Sequence, residues 1–168
     1  SLFMSDEPEP VKSVLVRAVE SGDLDAVRAA VEAAGDTEAR FVAVNAEDKG
    51  TWRSPLHWSA SFGLVDVTRL LIELGGDPNA EDIKGRTSLH YACDAYRNDL
   101  DGDLRYEDGI TQLVAHGAFS LEDMTGKLPD AGDQSSGFVK YVLYFPNPAS
   151  LFYLSAGDCL SIHRPTKD

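Results

Sequence analysis

Cysteine is scarce: only Cys93 and Cys159 occur in 168 residues. A chain so poor in cysteine has no disulfide framework, and Cys93 is expected to be a buried free thiol suited to a reducing compartment, cytoplasmic or nuclear. Basic residues are also few. Fifteen Lys and Arg stand against 28 Asp and Glu, a net charge of −13. Nucleic-acid binding depends on neutralising phosphates with Lys and Arg, so nucleic acid and anionic membrane surfaces are excluded as expected partners. A basic partner would be attracted; otherwise the acidity serves solubility. Long apolar runs are missing too. The longest uncharged stretch, Tyr141–Gly157, has 17 residues interrupted by Pro146 and Pro148, short of the roughly 20 apolar residues that a membrane span needs. The first residues lack the basic and apolar regions of a secretory signal. Ser1-Leu2-Phe3 ahead of Met4 reads as an expression leader, and residues 1–10 as a disordered leader. There is no Ser/His/Asp elbow, P-loop or Gly-x-Gly-x-x-Gly motif. No enzyme activity is therefore expected, and no catalytic residue or cofactor is assigned.

What is present is a period. Leu-His occurs at 56–57 and at 89–90, 33 residues apart, within Ser54-Pro55-Leu56-His57-Trp58-Ser59-Ala60 and Thr87-Ser88-Leu89-His90-Tyr91-Ala92-Cys93. Asn-Ala-Glu-Asp precedes each copy, at 45–48 and 79–82. A fixed spacing of this size marks a repeat architecture, which offers an extended surface in place of a single cleft. Ser54 and Thr87 are suited to cap helices, and Pro55 to the first helical position. A short helix ending at Gly63 is predicted, then a second from about Leu64 to Leu74. In the second helix Val67, Leu70, Leu71 and Leu74 share one apolar face. Gly75-Gly76 ends it, and Asp77-Pro78-Asn79 is turn chemistry. Neither helix buries its face alone, so the units must stack.

Gly-Arg-Thr-Ser-Leu-His-Tyr-Ala at 85–92 and Gly-Gly-Asp-Pro-Asn-Ala at 75–80 resemble the ankyrin repeat family. The resemblance covers roughly residues 11–145 and implies an all-α solenoid of about four helix-turn-helix units with hairpin-like loops. The first unit, around Leu15–Ala18, Gly22 and Asp23–Arg28, is degenerate. Eight extra residues before the second unit are expected as a lengthened loop near Thr37–Val44. An insert near Tyr96–Asp108 separates the helices of the third unit. A fourth unit is expected from Asp123, with Gly137–Phe145 as its second helix. Residues 146–168 form an aromatic-rich cap or tail. The segment 138–168 holds six of the 15 aromatic residues, so it reads as a lid on the solenoid or as a surface for self-association or a partner; the chain is otherwise expected to be a monomer.

The resemblance also implies where a partner binds. Ankyrin loops and first helices form a concave groove, which here carries Trp52 and Arg53, then Ile83, Lys84 and Arg86, with Ser61, Phe62, Asp94 and Ala95 at the helix ends. Trp, Arg and aromatic residues dominate interface energetics, so Trp52, Arg53, Phe62 and Arg86 are the expected anchors of a protein or peptide partner. The expected function is a non-catalytic adaptor or inhibitor. The alternative is an assembly chaperone or regulatory subunit that uses the aromatic tail. The resemblance implies that His57 and His90 bond along the stack, and it makes Asn79 a candidate for asparaginyl hydroxylation, against a bracing role in its turn. No metal site is assigned. His90 and Cys93 lack a second ligand pair for zinc. The alternating Asp99, Asp101 and Asp103 are followed by Leu104 and Ile110 where an EF-hand needs Gly and Glu.

Overall fold

The computed structural model describes residues 13–99, 104–119 and 122–132. Seven helices lie among them: α1 (Val14–Ser21), α2 (Leu24–Glu32), α3 (Thr37–Val44), α4 (Pro55–Ser61), α5 (Val65–Glu73), α6 (Ser88–Asn98) and α7 (Leu104–Ala115). The pairs α1/α2, α4/α5 and α6/α7 are three stacked units. In the layer of first helices, α4 packs between α1 and α6; in the layer of second helices, α5 packs between α2 and α7. The all-α solenoid is therefore the observed fold.

The core runs between the layers. Val19, Val27, Val31, Leu56, Val67, Leu71, Leu89, Ile110 and Leu113 are all buried in one cluster. The face expected on the second helix is correct: Val67, Leu70 and Leu71 are buried, and Leu74 packs at the margin. Ser13 and Asp23 cap α1 and α2 by accepting backbone N–H groups with their side chains. At the turn between α4 and α5, Gly63 takes φ 65° and lies so close to Tyr106 that a Cβ would come within 2.6 Å of its ring. Only glycine fits both the left-handed backbone and this approach.

Two expectations need correction. Thr37–Val44 is the helix α3, not a lengthened loop. Asp36 caps it by accepting the Ala39 N–H at 2.9 Å, Glu38 sits in its first turn, and Val44 is buried at its end. A capped segment that can bury one residue gains more as helix than as open loop. The insert at 96–108 is likewise mostly helical. It lengthens α6 to 11 residues and α7 to 12, against 7 and 9 in α4 and α5. The expected second helix of the fourth unit, the tail at 146–168 and the leader at 1–10 lie outside the described residues, as do Asp101 and Asp103.

Candidate functional site: the concave face and its hairpins

Among the described residues three hairpins project from the stack, each closed at its base by a backbone bond at 2.9 Å: Asp48 N–H to Arg53 O, Asp82 N–H to Arg86 O and Asp123 N–H to Lys127 O. Each has a second bond inside it, from Trp52, Gly85 and Gly126 N–H to the carbonyl of the same aspartate. Each aspartate also braces its own turn. Oδ1 of Asp48 accepts from the Thr51 N–H and hydroxyl, that of Asp82 from the Lys84 and Arg86 N–H groups, and that of Asp123 from Thr125 and Lys127. For Asp123 these bonds hold the carboxyl down at about 2, with the Thr125 hydroxyl as the leading cause. Neighbouring hairpins are joined edge to edge by Ile83 N–H to Thr51 O at 3.1 Å and Met124 N–H to Lys84 O at 3.0 Å.

The histidines tie these hairpins to the helices. Nδ1 of His57 accepts the Ser54 N–H at 3.0 Å, which leaves Nε2–H to donate to the Arg86 carbonyl of the next hairpin at 2.9 Å. His90 repeats this with Thr87 N–H at 3.1 Å and Lys127 O at 2.9 Å. In each case the backbone donor fixes the tautomer. Burial, above all, lowers the His57 pKa from its ordinary value. The residue after each histidine closes the unit: Trp58 Nε1 donates to Asp48 Oδ2 at 3.2 Å, and Tyr91 Oη to Asp82 Oδ2 at 2.5 Å. Burial raises the Tyr91 pKa to about 12, helped by that carboxylate.

These contacts assemble a cation–aromatic row where the hairpins meet the first helices. The Arg53 guanidinium lies 5.1 Å from the Trp58 ring centroid and 4.8 Å from that of Tyr91. Arg86, on the next hairpin, lies 4.5 Å from the Tyr91 ring centroid and pairs with Asp94. Asp94 also receives Arg97 at 3.0 Å. Phe62 stacks on Trp58 with centroids 6.1 Å apart. Thus Arg53, Phe62, Arg86 and Asp94 share one network, whereas Trp52, Ile83 and Lys84 stand exposed on the hairpins. Ser61 turns its hydroxyl back to the Trp58 carbonyl at 2.9 Å, and Ala95 is half-buried beside Asp94. Sequence reasoning omitted Trp58 and Tyr91, the rings that organise the row. An aromatic residue directly after each Leu-His was the available signal.

Trp52 is exceptional. The residue before each hairpin's closing position has a left-handed backbone: φ 58° at Trp52, 70° at Gly85 and 75° at Gly126. Glycine fills this position in the second and third hairpins and tryptophan in the first. The first hairpin is also one residue longer, with five steps from Asp48 to Arg53 against four from Asp82 to Arg86. At the ends of the second helices α5 and α7, Asn45 and Asn79 perform equal tasks. Asn45 donates to Gly75 O at 2.9 Å and accepts from Asp77 N–H at 2.8 Å; Asn79 donates to Gly117 O at 2.9 Å and accepts from Phe119 N–H at 2.7 Å. Asn79 therefore braces the following unit as well as its own turn, where its N–H meets Asp77 Oδ1.

A family model described as ankyrin repeats, in three copies, matches residues 15–119. The chain belongs to the ankyrin repeat family. That span takes in the three helix pairs, apart from the first residue of α1. Similar proteins include neurogenic locus notch homolog protein 4 of Homo sapiens, 35% identical over 89 residues, covering 47% of this chain and 4% of that protein. Neurogenic locus notch homolog protein 2 of Homo sapiens is 29% identical over 116 residues, covering 63% of this chain and 5% of that protein. A transient receptor potential cation channel subfamily A member 1 homolog of Caenorhabditis elegans is 31% identical over 86 residues, covering 51% of this chain and 6% of that protein. The chain thus spans about a twentieth of the length of these curated relatives. Ankyrin repeats are generally non-catalytic modules that bind proteins. Among the described residues, no helix is long and apolar enough to cross a membrane.

Proposed function

We propose that this chain is a non-catalytic protein-interaction module that docks a protein or peptide partner across its concave face. Trp52 carries the reading. A side chain at a left-handed position costs roughly 1–2 kcal/mol relative to a relaxed backbone. The free chain recovers little of this, because the residue is 53% exposed. A partner that covers the indole supplies the missing burial. Ile83 and Phe62, both more than a third exposed, extend the apolar strip on either side. Arg86 and Asp94 form a preorganised polar centre, with Lys84, Ser61 and Ala95 along its margin.

The net charge of −13 favours a partner with basic flanking segments, since long-range charge steers encounter more than it sets affinity. The buried thiol of Cys93, whose ionisation burial opposes, suits a cytoplasmic or nuclear setting. Asn79 is a candidate for hydroxylation, although its amide group is committed to Gly117 and Phe119.

Trp52→Gly tests the proposal with a peptide selected on the full chain from a random library. The variant relieves the backbone, so it should melt higher than the parent. It should also bind the peptide at least tenfold more weakly, about 1.4 kcal/mol. A variant that melts higher and binds equally well would remove Trp52 from the docking face.

A further inference from the structure

We infer that the centre of this groove is a receptor for an aspartate or glutamate side chain of the partner, and that Arg53 is the residue that takes it; the inference rests on the docking face proposed above. The groove's arginines differ in their partners. Arg86 is paired with Asp94, and Arg97 with Asp94 and, at 3.6 Å, with Asp130. Arg53 lies over Trp58 and Tyr91, and among the described residues its guanidinium meets no carboxylate and donates no hydrogen bond of its own. Its Nε is buried and unpaired, while the residue as a whole stays partly exposed.

The adjoining aspartates are already engaged. Asp48 holds Trp58 Nε1 and the Thr51 amide and hydroxyl. Asp82 holds the Tyr91 hydroxyl and the Lys84 and Arg86 amides. Both carboxylates fix the rings on which Arg53 lies, and neither neutralises it directly. A guanidinium steadied by aromatic faces is preorganised for a planar carboxylate, which it can bind through two N–H groups. Nε itself is buried, so a partner carboxylate would reach the guanidinium through its two amino groups. Phe62 on Trp58 and the exposed Trp52 and Ile83 flank the position, so the fitting segment is an acidic residue with apolar neighbours. An overall acidic chain thus presents its partner with a local cation at the centre of the groove.

The experiment selects peptides from a random library on the full chain and measures the tightest one, its Asp/Glu→Asn/Gln version and its C-terminally amidated version. Each is titrated against the parent, Arg53→Gln and Arg53→Lys, all checked for unchanged melting. Selected peptides should share one acidic position. Neutralising it should weaken binding to the parent tenfold or more and binding to Arg53→Gln by less than twofold, while Arg53→Lys retains part of the discrimination. Peptides with no acidic position overturn the inference, as does an equal loss on parent and Arg53→Gln, or a loss caused by amidating the C-terminus instead. If such peptides still lose affinity with Trp52→Gly, the docking face stands without the carboxylate receptor. If neither Trp52→Gly nor Arg53→Gln weakens them, or no peptide is selected, both readings fail.

Discussion

The imidazole of His57 donates from Nε2 to the main-chain carbonyl of Arg86, 29 residues on, at 2.9 Å. One bond thereby fastens the second unit to the hairpin of the third. The same residue accepts from its own helix cap, so capping and stacking share a single ring.

That arrangement requires neutral His57. The unfolded chain takes up a proton near its ordinary value of about 6.5, whereas the folded His57 resists it because burial lowers its pKa. The unfolded state then binds more protons, and stability falls as pH drops below about 6.5 towards the folded pKa. The contribution is complete above 6.5. Urea unfolding at pH 7.5 and 5.5 should show this loss, with a limiting slope of about 1.4 kcal/mol per pH unit between the two pKa values. His57→Gln should be less stable at pH 7.5 and show a flatter pH dependence. An equal slope in parent and variant would place the titration elsewhere.

Asn79→Ala removes both contacts that hold the segment from Gly117 to Phe119. Each such bond contributes roughly 0.5–1.5 kcal/mol, so the variant should lose about 1–3 kcal/mol in chemical denaturation. Amide exchange at Phe119 should rise more than exchange in α1. A neutral substitution would mean that α7 alone fixes the segment.

Ser88 occupies the first position of α6, where the equivalent residue of α4 is Pro55. Its hydroxyl is buried without a partner. Thr87 already has the extended backbone that a following proline requires, with φ −94° and ψ 170°. Ser88→Pro should stabilise the chain by about 0.5–1 kcal/mol, by restricting the unfolded state and removing the unpaired hydroxyl. Thermal and urea unfolding would check the sign; a loss of stability would show that the Ser88 amide or hydroxyl is needed.

The stacked fold was legible because its determinants recur at a fixed spacing. Ser54 and Thr87, His57 and His90, and the glycines at the turns each announce a backbone task that few residues perform. Helix α3 was not legible from the period. Counting surplus residues locates an insertion but not its conformation, for which Asp36 followed by Glu38 was the local signal. The candidate groove was partly legible. Trp52, Arg53, Phe62 and Arg86 fall on one face, but the pairing of Arg86 with Asp94 and the position of Arg53 over two rings depend on neighbouring units. The strain at Trp52 emerges only when its hairpin is set beside those containing Gly85 and Gly126.

Hydrogen exchange of the full chain with and without a library-selected peptide tests the docking face most directly. Protection confined to the hairpins at 48–53 and 82–86 and the helix segments at 58–62 and 91–95 is the predicted result. Protection confined to α2, α5 and α7, or to residues beyond 132, with those hairpins unchanged, would contradict it.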